Sequence, residues 1–395
     1  MSAADRRTVV LGCARTAIGR LGGALAAVPA PQLGAVAIRG ALDRAGVAPG
    51  QVEHVVAGTV VQAGQGSVPS RQAQLAAGIP DAVSSETVNK ACASGLRAAA
   101  IADQAIRGAD ADVVVAAGME SMSRAPHLLP DMRFGLRKGD AEVLDALLRD
   151  ALRSPWSGRT MYEEATAVAD RLGIERARLD AWALRSHERA IAAADAGATA
   201  EEIVPVAVPA RLGETVVERD ESPRRDTSLA ALSALPGLVG RDGSHTAGNS
   251  PGVNDGAAAL VLASDRWARA NGREPLATVV GHAQVAGDTG VIATVPAEAA
   301  AKALARAGIA AADVDLWEIN EAFASVTVHS TDALGIDPER VNVNGGAVAL
   351  GHPVGASGAR IVGALVHELR RRGGGLGVAA ICSAGGQGDA LIVRV

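Results

Sequence analysis

Three short phrases of this chain occur twice, in the same order and at nearly the same spacing. ALDRAG at 41–46 returns as ALARAG at 303–308, and ASGLR at 93–97 returns as ASGAR at 356–360. VVVAAG at 113–118 falls opposite LGVAAI at 376–381. The partners lie 262 residues apart in the first case and 263 in the other two. An ordered repeat limits the fold more than any local pattern, because whatever the first copy becomes, the second must become as well. Asp112 to Gly118 is a continuous apolar run, as in a strand buried on both faces. It follows a helical run from Leu96 to Ile106. Thr8–Leu11 and Val52–Val56 read as strands, and Ala35–Ala45 and Arg71–Ala77 as helices stopped by Gly46 and Gly78. Such alternation implies a parallel sheet with helices on its faces. The expected architecture is therefore α/β, with two similar halves packed together.

The repeat also sets reactive residues against one another. On its register Gly58 lies opposite Asn320, Cys92 opposite Gly355, and Met119 opposite Cys382. The two halves carry different chemistry at matching strand ends, which is where α/β sheets form ligand sites. Between them, roughly 122–246 differs in character. Ala165–Leu172 and Leu179–Ala194 read as amphipathic helices, and Ile203–Val208 with Thr215–Glu218 as a strand pair. The chain returns to the first half through TAGNSPGVNDG and the apolar strand AAALVLA. The expected organisation is 1–121 plus 247–274, an insertion at 122–246, and 275–395.

Composition excludes several functions. Aromatic residues make up 2% of the 395, so stacking platforms for single-stranded nucleic acid are not expected. A net charge of −5 without a basic block argues against polyanion binding. Cys13, Cys92 and Cys382 show no CxxC spacing, so neither a disulfide framework nor a zinc site is expected. No apolar stretch approaches the ~20 residues that span a bilayer. Arg15 interrupts any signal-like run near the N-terminus, and a cytoplasmic location is the expectation.

Four residues stand out as chemistry. Cys92 lies at the start of a helical run, where free N–H groups and the helix dipole would stabilise a thiolate. Asn320 lies in EINEAFA, His352 in NVNGGAVALGHPVGASGAR, and Cys382 in CSAGGQGDA. Each has a plain alternative: Cys92 and Cys382 as buried hydrophobes, Asn320 as a helix cap, His352 as a turn residue.

Taken together, these stretches resemble the thiolase family over essentially the whole chain. GMESMSRAPHLLP at 118–130, EIVPV at 202–206 and TAGNSPGVNDGAAA at 246–259 add to the match. The likeness is greatest to biosynthetic-type acetyl-CoA acetyltransferases. It implies two βαβαβαββ halves in α-β-α-β-α layers, with the inserted loop domain over the site. Cys92 is then the acyl-accepting nucleophile and His352 its base. Cys382 exchanges the α-proton, and Asn320 holds a water beside the enolate oxygen. The backbone N–H groups of Cys92 and Ala384 would form the oxyanion hole. The resemblance also implies CoA or acyl-CoA contacts at Met161, Arg224, Ala247, Ser250 and Phe323. No permanently bound cofactor is implied, the coenzyme A thioester being the substrate. The implied assembly is a homodimer or homotetramer, joined in part through 122–145.

Departures from the family pattern fall around the substrate. Thr160-Met161-Tyr162 stands where short-chain members have His-Met-Gly, with Met161 matching the residue that floors the acyl pocket. Pro251 occupies the place of a serine that bonds the CoA amide, with Ser250 adjacent, and Ala231 replaces another serine near the nucleotide. Ala384 stands where glycine is common. Longer or unusual 3-ketoacyl-CoA substrates are the alternative enzymatic reading. An acyl-CoA-binding scaffold and a Cys92–Cys382 redox pair are readings from other classes.

Overall fold

A computed structural model describes residues 6–211 and 213–395. The first half contributes strands β1 (Thr8–Thr16), β2 (His54–Gly58), β3 (Ser84–Val88) and β4 (Val113–Ser121), with helices α1 (Ala30–Ala45), α2 (Pro69–Ala76) and α3 (Ser94–Arg107) between them. The insertion carries α4 (Met161–Arg171) and α5 (Arg176–Asp195), after which β5 (Asn254–Ser264) rejoins the first half. The second half repeats the plan with β6 (Ala277–Ala286), α6 (Val295–Ala307), β7 (Leu316–Ile319), α7 (Ala324–Leu334), α8 (Val354–Arg371), β8 (Leu376–Ser383) and β9 (Gln387–Arg394).

These strands form one twisted sheet in the order β7-β8-β9-β6-β1-β5-β4-β2-β3. The halves join where Val9 and Val10 of β1 face Thr278 and Ala277 of β6. The expected parallel sheet is corrected here: only β4, β2 and β3, and β7 with β8, run parallel. The strands around β5 and β9 are antiparallel, because each half ends by folding a strand back on its predecessor.

Side chains of period two explain the layers. Val113, Val115 and Ala117 face α1 and α2 in one core, while Val114 and Ala116 face α3 and α8 in another. In β8, Ala379 and Ile381 point into that same central core, and Val378 and Ala380 point outward towards α6 and α7. Helices α3 and α8 are therefore sandwiched between the two sheet halves, giving α-β-α-β-α. The repeated ASG phrase marks where they cross. A Cβ on Gly358 would lie 2.2 Å from Leu96 N, and one on Gly95 would lie 2.7 Å from Ala359 N. Only glycine permits that approach, so the first turns of both helices are brought together.

The insertion is bound to the second half. Leu179, Trp182 and Ala183 of α5 share a core with Trp317, Ile319 and Val328. The strand expected over 203–208 is split at Pro205. Ile203 and Val204 pair with the end of β1, and Val206–Pro209 pairs with Glu214–Val217. Proline lacks the N–H that a continuous ladder needs. Among the described residues no helix is long and apolar enough to cross a membrane.

Candidate active site

Cys92 follows β3 on a tight turn. Ser94 Oγ accepts from Lys90 N at 2.8 Å and donates to Ala91 O at 2.6 Å, and Asn89 Oδ1 accepts from Ala91 N at 3.0 Å. Ala91 is held at φ +42°, a region costing roughly 1–2 kcal/mol for a residue with a Cβ. The turn consumes donors that the sequence reading left for the sulfur: Ala93 N bonds Lys90 O at 3.1 Å and Ser94 N bonds Ala91 O at 3.0 Å. Cys92 is part-exposed through the cavity mouth, yet Val60, Met122 and Val354 pack around it. That packing pushes its thiol up to about 12, opposed by its own backbone N–H. The expected resting thiolate is thus corrected to a thiol, which needs a base.

His352 lies at the N-terminal side of α8, on the far side of the helix crossing. Its N–H donates to Asn254 Oδ1 at 2.9 Å, and Asn254 Nδ2 donates to Gly19 O at 2.9 Å. Its Nδ1 lies 2.6 Å from Ser357 Oγ, whose hydroxyl donates to Pro353 O at 3.0 Å. With the serine proton committed to that carbonyl, the network assigns the imidazole proton to Nδ1. Nε2 is then an acceptor, buried and without a partner. Burial pulls His352 down to about 3, so it is neutral and able to take a proton.

Cys382 ends β8, packed by Ala165, Val168 and Phe323. Burial, and secondarily Cys92, hold its thiol above the ordinary value. Two contacts tie its loop to the Cys92 turn: Ser383 Oγ donates to Lys90 O at 2.6 Å, and Lys90 Nζ pairs with Asp389 at 2.6 Å. The next turn takes its positive φ at Gly385 (+77°) and Gly386 (+65°), not at Ala384, so the alanine Cβ is tolerated.

Cys92, His352 and Cys382 line a single cavity of about 240 Å³. Met161, Ile292 and Phe323 form part of its wall, with Leu148 and Leu152 of the insertion, and Ala384 lies on it too. Thr160, Tyr162, Ser250 and Pro251 also line it. Ser250 Oγ is buried without a partner, whereas Thr160 Oγ bonds Glu163 at 2.7 Å in a helix cap. Asn320 is not on the wall. It follows β7, its N–H bonds Ala380 O at 2.9 Å, and both amide atoms of its side chain are buried and unpartnered. Arg224, Ala231 and Ala247 are exposed and stand outside the cavity. A larger space of about 830 Å³ between α5 and 218–225 holds no cysteine or histidine on its wall.

Ser94, Ser357, Asn254 and Glu321 are site-forming residues that sequence reasoning did not single out. The Glu321 carboxylate accepts from Trp182 Nε1 at 2.9 Å, Ser186 Oγ at 2.7 Å, Asn342 Nδ2 at 2.9 Å and Val348 N at 2.9 Å. It binds the insertion to the loop that leads to His352. The repeated serine was the available signal: one copy shapes the Cys92 turn, the other orients the imidazole.

A duplicated α/β chain with two thiols and an unpaired imidazole nitrogen on one cavity has the makings of an acyl-transferring enzyme. The comparisons say which. Residues 8–266 match "Thiolase, N-terminal domain" and residues 273–395 match "Thiolase, C-terminal domain". The chain is 46% identical over 387 residues to an acetyl-CoA acetyltransferase of Cupriavidus necator, covering 98% of each, and 45% identical over 388 residues to a probable acetyl-CoA acetyltransferase of Mycobacterium tuberculosis, covering 98% of this chain and 99% of the other. The structure of a Bacillus anthracis acetyl-CoA acetyltransferase superposes with a TM-score of 0.96 at 39% identity. A human mitochondrial 3-ketoacyl-CoA thiolase superposes at 0.95 and 37%, each match covering 98% of both chains. The chain belongs to the thiolase family, and it is an acyltransferase.

Proposed function

We propose that this thiolase condenses two acetyl-CoA to acetoacetyl-CoA and free CoA, reversibly, through an acyl-Cys92 intermediate. The observation that carries the reading is the convergence of Cys92, His352 and Cys382 on one small cavity. The His352 Nε2 lone pair takes the Cys92 proton as sulfur attacks the thioester carbonyl, and returns it to the departing CoA sulfur. The freed His352 imidazole then takes the Cys382 proton, and the resulting thiolate removes an α-proton from the second acetyl-CoA. The carbanion attacks the acyl carbon, releasing Cys92, which takes its proton from His352. The enolate oxygen is stabilised by the proton that Nε2 of His352 carries at this stage and by a water held at Asn320, whose buried amide is free to bind one. The acyl oxygen sits between the N–H groups of Cys92 and Ala384, donors contributing roughly 3–4 kcal/mol each.

Met161, Ile292 and Phe323 bound the acyl end, which favours a short chain. Coenzyme A enters as substrate with no cofactor held permanently. Ser250 Oγ, buried and unpartnered, serves the pantetheine amide in place of Pro251, and Arg224 and Ala247 lie along the exposed nucleotide path. The enzyme acts in the cytoplasm as a dimer or tetramer. Leu129, Met132, Phe134 (92% exposed) and Val143 project from 122–145 without a core beneath them, which suits a subunit contact. Longer 3-ketoacyl-CoA substrates are the second reading, favoured by the altered mouth at Thr160 and Tyr162.

The test is a thiolysis series over 3-ketoacyl-CoA chain lengths with free CoA. A steep fall in rate beyond four carbons is expected. Absence of turnover on every member, by folded protein, would remove the proposal. Cys382→Ser should still form acyl-enzyme from acetyl-CoA while losing α-proton exchange.

A further inference from the structure

Glu120, in the GMES phrase, is fully buried at the end of β4 and has no assigned role. Its carboxylate accepts four bonds from neutral donors. Oε2 takes Val60 N at 2.9 Å and Gly355 N at 3.0 Å; Oε1 takes Val61 N at 3.2 Å and Thr59 Oγ1 at 3.3 Å. Thr59–Val61 follow β2 of the first half, whereas Gly355 is in the first turn of α8 in the second. The chain of contacts continues. Val60 O accepts from Asn89 Nδ2 at 3.1 Å, and Asn89 Oδ1 accepts from the strained Ala91 at 3.0 Å. One carboxylate thus links the turn that aims Cys92 to the helix whose Ser357 orients His352. Val60, one of its Oε2 donors, and Val354, next to the other, are among the side chains that pack around Cys92.

We propose that Glu120 is a positioning residue for acylation: as a buried carboxylate it holds the Cys92 turn and the His352 helix in mutual register across the two halves. The inference rests on Cys92 being the nucleophile. The geometry leaves little room for a substitute. A neutral amide of the same shape would turn an NH₂ towards at least one backbone N–H and strand it. Aspartate would fall short of donors that come from two separate segments. Burial raises the Glu120 carboxyl to about 7 against the pull of its four donors; above that pH its charge also acts on Cys92 and disfavours the thiolate. The other titratable groups on the cavity are Cys382 from β8, His352 before α8 and Tyr162 of α4.

Charge and register can be separated by two measurements on the full enzyme: thiolysis of acetoacetyl-CoA, and the pH dependence of Cys92 alkylation by iodoacetamide, with peptide mapping. In Glu120→Gln we expect kcat to fall ten- to a hundredfold with KM within twofold of the wild type. The alkylation midpoint should move down by about half a pH unit or more, because a neighbouring negative charge is gone. Asn89→Ala cuts the same link while leaving the charge, so kcat falls and the midpoint stays. A Glu120→Gln enzyme with wild-type kcat overturns the inference, and so does one whose kcat falls with an unmoved midpoint, which marks a merely structural residue. If Glu120→Gln does not fold, wild-type kcat in Asn89→Ala overturns it. Wild-type enzyme that turns over without alkylation or acylation at Cys92 would instead defeat the reading of the nucleophile.

Discussion

Replacing Ser357 by alanine tests the proton-transfer geometry most directly. The serine hydroxyl donates to Pro353 O, so its oxygen is the acceptor that keeps a proton on His352 Nδ1 and leaves Nε2 free. Without it, one of two things happens in a site where His352 is only 6% exposed. Either the Nδ1–H stays and is stranded, or the proton moves to Nε2 and the acceptor facing the cavity is lost. A buried donor without a partner costs about 1–3 kcal/mol, which converts to roughly 5- to 150-fold in rate. Ser357→Ala should therefore lose between 5- and 150-fold in kcat/KM for acetoacetyl-CoA thiolysis. The folded state should lose stability in the same range, about 1–3 kcal/mol, because the stranded donor is buried there. Thermal unfolding of the same preparation checks the second figure. A variant with kcat/KM within twofold of wild type would refute the tautomer assignment and the role given to Nε2.

Other outcomes follow from the same structure. His352 should stay neutral from pH 8 down to about 4, so its ring signals in a histidine-labelled NMR sample should not titrate between pH 8 and 5. Because folding suppresses proton uptake by this imidazole, its contribution to stability is complete above its unfolded value near 6.5 and is lost as pH falls towards 3. Gly358→Ala drives a methyl to 2.2 Å from Leu96 N and should cost about 1–3 kcal/mol or more, read as a lower urea midpoint. Gly281→Ala, whose methyl meets nothing within 4 Å, is the matched control and should change little. Met161→Ala should open the acyl end and raise kcat/KM for six- and eight-carbon substrates relative to four; an unchanged ratio would remove Met161 as the floor.

Most of the architecture was legible because a repeat and a two-residue alternation are sequence facts. Val113–Gly118 announces a strand buried on both faces whatever direction its neighbours run, which is why the parallel reading failed for β5 and β9. Pairing sense depends on connections: the return of β5 to the first half is legible, but not the direction in which it lies against β4. Helix α1 begins five residues earlier than Ala35, with Pro31 in its first turn, a position proline accepts. The reactive residues were legible because their chemistry is written in their side chains. Asn254 and Ser357 were not, because their work is contact: Asn254 reaches an amide 98 residues away. The thiolate expectation failed because the packing around Cys92 outweighs its own backbone N–H, the next donors being bonded within the turn.

The crossing of α3 and α8 has a further consequence. A chain made of two copies could have kept two reaction centres, one at the head of each central helix. Because those heads meet at a pair of glycines, both centres would occupy the same space. The molecule instead holds a single centre whose two sides are unlike, and each copy supplies what the other lacks.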